Sequence, residues 1–262
     1  MKRVLAIILM CSFSFSALAA LKSREITYEV DGKSFTGYLA WDDAIKGKRP
    51  GILVVHEWWG LNDYARKRAD MLAKLGYTAF ALNMYGTGKV AEHPDDAKKF
   101  MQAVVSDMPE AKKRFDKARS ILEAQPTVDT RHIAAIGYCF GGGIVLNMAR
   151  LGEDIDGVVS FHGSLGTQTP AQKGQVKARV LVFTGEADPF APPEVVNAFK
   201  QEMQAAGVDY RLISYPGVKH SFTNPDADSF GKRFGMPLAY DRHADEDSWK
   251  ITQAFFKDIF KD

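Results

Sequence analysis

Two patterns of hydrophobic and polar residues alternate along the chain after its first 20 residues. One pattern is a short run of consecutive apolar residues, which is typical of strands covered on both faces in a parallel sheet. The other pattern, which fills most of the intervals, has apolar residues at helical spacing. The alternation predicts an α/β fold, with a mainly parallel sheet and helices on both of its faces. The apolar runs occupy residues 51–55, 78–82, 132–136, 157–161, 179–183 and 211–215.

The start of this region has a different pattern, in which apolar and polar residues alternate one by one. Residues 25–30 read EITYEV, and residues 33–40 read KSFTGYLA. These two segments flank Asp31 and Gly32, and an Asp-Gly pair in this position favours a two-residue hairpin turn. We therefore predict an N-terminal antiparallel hairpin.

Helical spacing is clearest in two segments that end at glycine. Residues 61–76 place apolar side chains on one face, have Asn62 as the candidate N-cap and stop at Gly76. Residues 193–207 repeat this design and stop at Gly207. Both segments are predicted helices, because asparagine is favoured at helix N-caps and glycine just past helix ends.

Two further helical segments are predicted, one in the middle of the chain and one at its end. Residues 94–125 form a longer, more charged segment, and Pro109 is expected to divide it into two helices because proline breaks a helix interior. The last helix is predicted over residues 247–260. No repeat, low-complexity tract or linker interrupts the pattern, so residues 20–262 are predicted to form a single domain.

The first 20 residues, MKRVLAIILMCSFSFSALAA, have the order of a secretory signal peptide. Lys2 and Arg3 precede an apolar stretch, and the small residues Ala17 and Ala19 follow it. We predict a signal peptide over residues 1–19, cleaved near Ala19, and hence a periplasmic or secreted protein.

Two other fates of this segment fit it less well. A retained membrane anchor needs about 20 apolar residues, whereas serines dilute the second half of this stretch. Lipid attachment at Cys11 would need a small residue before the cysteine, and Met10 is bulky. No membrane span is therefore expected after cleavage.

Charge and composition narrow the classes of partner. The formal net charge of +2 falls to neutral when Lys2 and Arg3 leave with the signal peptide, so nucleic acid is not an expected partner. A chain of this length with 46% hydrophobic residues can bury a large core. We expect a monomer that binds a small molecule.

Cys139 is the cysteine that remains after signal cleavage, and it lies in the segment GYCFG at residues 137–141. Without Cys11 no disulfide can form within the chain. The segment follows a predicted strand, and its glycine-nucleophile-glycine spacing matches a strand-to-helix elbow. Two interpretations stay open at this point: a nucleophilic thiolate favoured by a helix N-terminus, or glycines that only let a helix pack tightly on its strand.

Two other glycine-rich motifs do not fit this segment. A dinucleotide-binding loop needs G-x-G-x-x-G, but Cys139 stands where the second glycine would be, and no acidic residue ends the next strand in a suitable place. A phosphate-binding loop ends in Gly-Lys-Ser or Gly-Lys-Thr, whereas this one continues as Gly-Gly-Ile. Neither cofactor class is expected, and no metal-ligand spacing is present.

Asp188 and His220 complete the chain order nucleophile, acid, base that such an elbow requires. Each follows a predicted strand, so both are expected at the sheet edge where ligands bind in open α/β sheets. Separately, Asp188 could be a turn or capping residue with Glu186 as a rival, and His220 an exposed loop histidine. In this order with Cys139, they predict a catalytic triad.

From about residue 27 to residue 260 the chain resembles the dienelactone hydrolase family of the α/β-hydrolase fold. The motifs that carry the resemblance are HEWWG at residues 56–60, GYCFGG at 137–142, GEADPF at 185–190 and GVKHSF at 217–222. The resemblance implies that Glu57 contacts the resting thiol. It also implies that the backbone N–H groups of Trp58 and Phe140 form an oxyanion hole.

The chain departs from this family at two positions that bind the substrate carboxylate. Thr87 and Asn224 stand where family members carry arginines, and neither Lys89 nor Lys219 offers a planar two-pronged donor. We therefore do not expect dienelactone itself as the substrate. Aromatic residues near the site predict an apolar pocket wall made by Trp58, Tyr85 and Phe222, unless these side chains belong to the core.

The sequence predicts hydrolysis of a small ester or lactone through a Cys-His-Asp triad and a thioester on Cys139, without a cofactor. Acyl transfer to another acceptor and thioester cleavage remain alternatives on the same scaffold. A non-catalytic module that binds a small ligand is an alternative from another class. A peroxide-sensing cysteine explains neither Asp188 nor His220.

Overall fold

One sheet organises the molecule. In the computed structural model, which describes residues 21–261, the sheet has eight strands in the order β1-β2-β4-β3-β5-β6-β7-β8. β1 pairs antiparallel with β2, and β2 with β4, whereas the later neighbours pair in parallel. The predicted hairpin and mainly parallel sheet are therefore confirmed. The strands are β1 Leu21–Val30, β2 Lys33–Asp42, β3 Arg49–Val55, β4 Thr78–Leu82, β5 Val128–Tyr138, β6 Gly157–Phe161, β7 Arg179–Gly185 and β8 Tyr210–Tyr215.

Helices cover both faces of this sheet, as the alternation predicted. Residues of α2 to α5 belong to the hydrophobic core on one face, and residues of α1 and α7 to the core on the other. In β3, for example, Leu53 joins the first core and Val54 the second, which explains why the strand is apolar at consecutive positions. Over residues 21–261 the helices are α1 Asp63–Lys74, α2 Pro94–Val105, α3 Met108–Glu123, α4 Phe140–Arg150, α5 Pro193–Ala206, α6 Ala227–Phe234 and α7 Arg242–Ile259.

The predicted turn and cap residues act as expected. Asp31 and Gly32 both have positive φ angles, of 47° and 73°, which suit a tight hairpin turn. The Asn62 side chain accepts the backbone N–H of Ala65 at the start of α1. Gly207 ends α5 in the left-handed conformation, with φ of 69°.

The segment at residues 94–125 is interrupted before Pro109 and not at it. α2 ends at Val105, and Asp107 caps α3 by accepting the backbone N–H of Glu110. Pro109 lies in the first turn of α3. Proline is tolerated there because the first helical N–H groups have no partner within the helix.

The C-terminal helices differ from the prediction in two respects. α7 begins at Arg242, earlier than residue 247, because Asp241 caps it. α6 was not predicted, since eight residues are too few to reveal helical spacing. It is held by ring stacking of Phe230 on Trp59, with centroids 4.6 Å apart.

The predicted signal peptide over residues 1–19, with its cleavage near Ala19 and with Cys11, lies outside the described residues. Cys139 is the free cysteine of the part that is described. No helix between residues 21 and 261 combines the length and the apolar character needed to cross a bilayer.

The carboxyl ends of the parallel strands bring six loops to one edge of the sheet. These are the loops after β3, β4, β5, β6, β7 and β8. Ligand sites of open parallel sheets form at this edge, because there the loops converge on a shared crevice. In chain order the loops contribute Glu57 and Trp58, Cys139, His162, Asp188, and His220 with its neighbours.

Candidate active site

Cys139 lies at a sharp turn from β5 into α4. β5 ends at Tyr138 and α4 begins at Phe140, so Cys139 alone makes the turn, with φ of 52° and ψ of −115°. A positive φ is costly for a residue with a side chain and is found where the surrounding structure holds it. The turn leaves the thiol at the start of α4, where the helix dipole favours a negative charge.

The glycines of the elbow have separate steric reasons. A Cβ on Gly137 would overlap the carbonyl of Gly141, and a Cβ on Gly141 would overlap the carbonyl of Val55. A Cβ on Gly142 would lie 2.8 Å from the Cα of Gly163 in the loop after β6. The glycines therefore allow both the elbow and the close approach of α4 to the neighbouring loops.

His220 and Asp188 are brought together as a hydrogen-bonded pair. His220 Nδ1 lies 2.7 Å from Asp188 Oδ2, and both side chains are buried. Asp188 Oδ1 accepts the backbone N–H of Phe190 at 2.8 Å, which fixes the carboxylate. Nδ1 of His220 is thus the donor, and Nε2 remains for the thiol.

The protonation of His220 is governed by Cys139 and Asp188. Burial alone would lower the pKa of His220, but the Cys139 sulfur and the Asp188 carboxylate outweigh burial and raise this pKa to about 10. An opposite charge beside a buried base favours its protonated form. The site therefore suits a protonated imidazole that faces the Cys139 sulfur.

A second buried histidine, His162, contacts the same cysteine through the backbone. The N–H of Cys139 donates to Phe161 O at 3.0 Å and to His162 Nδ1 at 3.2 Å. Because Nδ1 accepts, Nε2 carries the proton and donates to Thr223 Oγ1 at 2.7 Å. Burial, together with the charges of His220 and Arg68, holds the pKa of His162 well below its usual range.

His162 is a site residue that the sequence reasoning missed. It directly follows β6 at the same sheet edge as Cys139 and His220, which is the signal that could have revealed it. Its hydroxyl partner Thr223 is itself held by Tyr64, whose hydroxyl lies 2.6 Å from Thr223 Oγ1. The neutral imidazole thus links the elbow to a buried polar network.

The buried polar network continues from Thr223 and Tyr64 to an ion pair between Arg68 and Asp245. Arg68 Nη2 donates to the carbonyl of Thr223 and to Asp245 Oδ1, each at 2.6 Å. Arg68 Nε donates to the Tyr64 hydroxyl at 3.2 Å. The loop after β8 is therefore tied to α1 and α7 by hydrogen bonds as well as by packing.

Glu57 is buried, and both of its carboxylate oxygens are occupied. Ser221 Oγ donates to Oε1 at 3.0 Å, and Asn224 Nδ2 donates to Oε2 at 2.6 Å. Burial raises the pKa of Glu57, while these two hydrogen bonds oppose the rise. The carboxylate thus holds the loop that carries His220, and its role toward the resting thiol stays a prediction.

The two backbone donors expected for an oxyanion hole lie on adjacent elements. Trp58 is in the loop after β3, and Phe140 opens α4, which packs against the end of β3. In the described part of the chain, no hydrogen bond uses either of these N–H groups. His56 braces the loop: its Nε2 accepts the N–H of Met84, so its Nδ1 donates to Glu57 O at 2.6 Å.

A cavity of about 320 Å³ opens over Cys139 and is here called the Cys139 cavity. Trp58 lines it, as expected for the pocket wall, whereas Tyr85 and Phe222 are not among its lining residues. Tyr85 lies behind the wall and donates its hydroxyl to Trp58 O at 3.0 Å, and Phe222 is fully buried against the ring of His162. The lining residues are Trp58, Met101, Cys139, Phe140, Ser164, Phe190, His220, Met236 and Leu238.

Apart from Cys139 and His220, no ionisable side chain lines this cavity between residues 21 and 261. At the two positions where the family carries arginines, Asn224 is bonded to Glu57, and Thr87 lies 3.0 Å from the Thr36 hydroxyl on β2. Lys89 Nζ lies over the Phe100 ring, 5.9 Å from its centroid. Over the same residues, no cluster of three or more His, Cys, Asp or Glu is arranged to hold a metal ion.

Backbone strain is concentrated at this edge. Among residues 21–261, the non-glycine residues with positive φ are Asp31 in the hairpin turn and Cys139, His162 and Ser221 around the site. Their φ angles in the site are 52°, 40° and 58°. Strained residues of this kind persist where surrounding contacts hold them, and they cluster at functional sites.

A sequence model described as "Dienelactone hydrolase family" matches residues 35–260. Protein usf of Aquifex pyrophilus is 31% identical over 244 residues, which cover 89% of this chain and 97% of that protein. A dienelactone hydrolase-like promiscuous phosphotriesterase from metagenomic libraries is 33% identical, with a TM-score of 0.84 over 92% of this chain and all of that one. A structure named m3DLH is 36% identical, with a TM-score of 0.86 over the same shares.

Proposed function

Since the chain belongs to the dienelactone hydrolase family and has the α/β-hydrolase fold of that family, we propose that it cleaves small uncharged esters or lactones through a thioester formed on Cys139. Membership of this family makes it a hydrolase of carboxylic esters or lactones. The observation that carries the proposal is that His220, bonded to the buried Asp188, lines with Cys139 a cavity whose other walls carry no ionisable side chain.

The first half of the reaction forms the thioester. His220, oriented by Asp188, takes the proton of Cys139, and the thiolate attacks the carbonyl carbon. Negative charge then develops on the carbonyl oxygen, where the N–H groups of Trp58 and Phe140 act as donors. The C–O bond breaks, and His220 gives its proton to the leaving oxygen.

The second half releases the acid. A water molecule gives its proton to His220 as it attacks the thioester, and the C–S bond breaks to return the thiolate. The protonated His220 then restores the resting pair with Cys139. Each role requires a neutral or cationic imidazole whose Nδ1 stays on Asp188, which the 2.7 Å hydrogen bond supports.

The lining of the Cys139 cavity favours an uncharged substrate. A substrate carboxylate buried there would lose its hydration and, within residues 21–261, meet no arginine or lysine of the wall. Asn224 is already bonded to Glu57 and cannot take over the missing charge. This supports a neutral ester or lactone and disfavours dienelactone, whose carboxylate would be unpaired.

Glu57 is proposed to act as the partner of the resting thiol, as in the family. Its carboxylate accepts from Ser221 and Asn224 at 3.0 and 2.6 Å, and among residues 21–261 no hydrogen bond joins it to the Cys139 sulfur, so we assign this arrangement to a state in which the thiol is released to His220. Glu57→Gln should therefore raise the rate at which iodoacetamide alkylates Cys139 at neutral pH. An unchanged rate would count against this role.

Hydrolysis of neutral phosphate triesters is a second candidate, and the uncharged cavity favours it. The promiscuous phosphotriesterase described above is similar over 92% of this chain. Thiolate attack on phosphorus would expel the leaving alcohol with a proton from His220, and water would then cleave the S–P bond. Turnover of diethyl 4-nitrophenyl phosphate that is lost in Cys139→Ala would support this activity; single phosphorylation without turnover would restrict the protein to carboxylic esters.

The predicted export of the protein belongs to the same proposal. An exported hydrolase would meet small esters and lactones outside the cytoplasm, and Cys139 would have no partner cysteine after signal cleavage. Fractionation of cells that express the full chain tests it: a periplasmic or secreted product that begins after Ala19 is expected, and an uncleaved cytoplasmic product would refute it.

Intact-mass analysis of the mature protein tests the mechanism. Native protein and Cys139→Ala are mixed with 4-nitrophenyl acetate and with a panel of lactones, and both product release and acyl adducts are measured. An acetyl adduct with turnover, both lost in Cys139→Ala, is expected. Unchanged turnover in Cys139→Ala would end the cysteine mechanism, whereas native protein without turnover or adduct would favour a ligand-binding module. Turnover that needs an added alcohol or thiol acceptor would favour acyl transfer.

A further inference from the structure

A larger cavity adjoins the Cys139 cavity and belongs to none of the roles described so far. This side cavity has a volume of about 660 Å³ and shares Met101, Phe140 and Ser164 with the Cys139 cavity. Its other walls come from the α2–α3 corner, from α4 and from the loop after β6.

We propose that the side cavity binds the acyl chain of an uncharged ester while its carbonyl carbon reacts at Cys139. This inference rests on the proposed function, and it names the part of the substrate that the second cavity recognises. Three observations support it. The two cavities share part of their walls, the walls of the side cavity are uncharged, and the catalytic groups determine the direction in which each substituent of the reacting carbon points.

The side cavity carries no ionisable side chain among the described residues. Its apolar wall includes Val105, Met108 and Ile144. Two of its polar side chains are paired with each other: Thr167 Oγ1 donates to Asn147 Oδ1 at 2.8 Å, and Asn147 Nδ2 donates to Gly143 O at 2.9 Å. A chain of methylenes can therefore occupy the space without leaving a charge unpaired.

The catalytic groups determine which part of the substrate points toward this cavity. His220 must protonate the leaving oxygen, so the alcohol lies on the His220 side, where Phe190 stands 5.0 Å away between ring centroids and Leu238 forms a backbone bridge to His220. The oxyanion points at the N–H groups of Trp58 and Phe140. The acyl substituent takes the remaining direction.

That direction is past the wall shared by the two cavities. Ser164 is exposed and Met101 is half-buried, so neither closes the passage with a rigid core side chain. Gly143 contributes no side chain to the passage; a Cβ there would lie 3.3 Å from the Cβ of Ser164. Because residue 143 is glycine, α4 approaches the loop after β6 closely at this point, and no side chain of residue 143 narrows the passage.

A series of 4-nitrophenyl esters with acyl chains from acetyl to decanoyl tests the assignment. We expect kcat/KM to rise by about threefold for each added methylene until the chain fills the side cavity, because each methylene is transferred out of water. Val105→Trp and Met108→Trp should each lower kcat/KM for the octanoyl ester by about tenfold and leave the acetyl ester within about twofold.

Ala103→Trp provides the matched control, because Ala103 is exposed on α2 and does not line the side cavity. It should leave the whole series unchanged. A native series that is flat or falls with chain length, in a protein that hydrolyses the acetyl ester, would overturn the acyl-chain assignment alone. Failure to hydrolyse any ester would instead overturn the proposed function.

Photolabelling locates the chain even where a tryptophan turns toward solvent. A decyl trifluoromethyl ketone with a terminal diazirine forms an adduct with the Cys139 thiolate, and irradiation then marks whatever lies at the chain end. Labels within residues 101–109 or 164–169 are expected. Labels at Phe190, Met236 or Leu238 would put the chain on the leaving-group side and overturn the proposal.

Discussion

The loops after β6 and β8 each place a buried histidine beside Cys139, yet the two side chains have opposite acid–base character. The rings of His162 and His220 lie 5.2 Å apart between centroids. His220 faces the Cys139 sulfur and is bonded to the Asp188 carboxylate, and these two neighbours raise its pKa to about 10, whereas His162 is bonded to the Thr223 hydroxyl and its pKa falls well below its usual range. Both are buried, so the partner and not the burial separates them.

The difference explains how one cysteine can be held and activated by the same kind of side chain. The neutral His162 accepts the backbone N–H of Cys139 and holds the strained elbow, while the cationic His220 faces the sulfur. The charge on His220 also disfavours a second charge on His162, since it is among the causes that lower the pKa of His162. The protonated His220 therefore helps to keep His162 neutral.

Replacing the Asp188 carboxylate should cause the largest loss of activity and should remove the difference between the two histidines. Asp188→Asn keeps the size of the side chain but makes His220 resemble His162, a histidine with a neutral partner, in the wrong tautomer for the thiol. We expect kcat for 4-nitrophenyl acetate to fall by about 10,000-fold. Stopped-flow acylation measures it.

The control for that variant is Glu186→Gln, because Glu186 is exposed and lies close to Asp188 in sequence. Glu186→Gln should retain native activity. If Glu186→Gln loses activity and Asp188→Asn does not, the acid of the triad is Glu186 and the comparison of the two loops loses its basis.

Removing the neutral histidine should have a smaller effect of another kind. His162→Asn tolerates the positive φ but cannot bridge Cys139 to Thr223, so the elbow shifts while Asp188 and His220 remain. We expect acylation to slow by about 100-fold, the scale of a misplaced reacting group. The pH at which the alkaline limb of kcat/KM falls should stay that of the native protein.

That pH profile distinguishes positioning from acid–base catalysis. A shifted alkaline limb in His162→Asn would mean that His162 itself gives or takes a proton in the reaction. A variant as inactive as Asp188→Asn at every pH would contradict the division of roles between the two loops.

The smallest expected effect concerns how the free energy of unfolding depends on pH. The two histidines contribute to this dependence with opposite signs. The pKa of His162 is lowered on folding, so the unfolded chain takes up its proton first, and the free energy of unfolding falls as pH drops below about 6.5. The contribution of His220, whose pKa is raised, is complete below about pH 6.5 and is lost as pH rises to about 10. Each slope is at most about 1.4 kcal/mol per pH unit.

Urea unfolding of native protein, His162→Phe and His220→Phe at several pH values measures these slopes. The acid slope should flatten in His162→Phe, and the alkaline slope in His220→Phe. His56, whose pKa is lowered to about 4 by burial, leaves part of the acid slope in both variants. Slopes that do not change in either variant would show that other groups govern the pH dependence.

Much of the fold could be predicted from the sequence because its signals are local. The apolar runs indicate strands that are buried on both faces. Asp31 and Gly32 determine the hairpin turn, and Gly207 determines the end of α5. α6 was missed because its stability comes from contacts between distant residues, such as Phe230 on Trp59. The division of residues 94–125 into two helices is confirmed, but Pro109 begins the second helix instead of breaking the first, because proline can do either.

The candidate site divides in the same way. Cys139, Asp188 and His220 could be named because chain order and strand ends constrain them. His162 was missed although it also follows a strand end, because the triad order gives it no role and its bond goes to a backbone N–H that no side-chain motif records. Tyr85 was expected in the pocket wall, but an aromatic residue near a strand end has the same sequence signal whether it lines the cavity or packs behind it.

The positive φ angles at His162 and Ser221 have a consequence for anyone who sets out to make the protein more heat-resistant. Glycine adopts such angles without strain, but at either position it would also remove a buried, hydrogen-bonded side chain and give the unfolded chain more freedom. The cavity and the unpaired polar groups cost more than the relieved strain returns, so His162→Gly and Ser221→Gly should lower the melting temperature. Glycine elsewhere on the chain can be replaced to gain heat resistance, whereas these two strained positions should be left as they are.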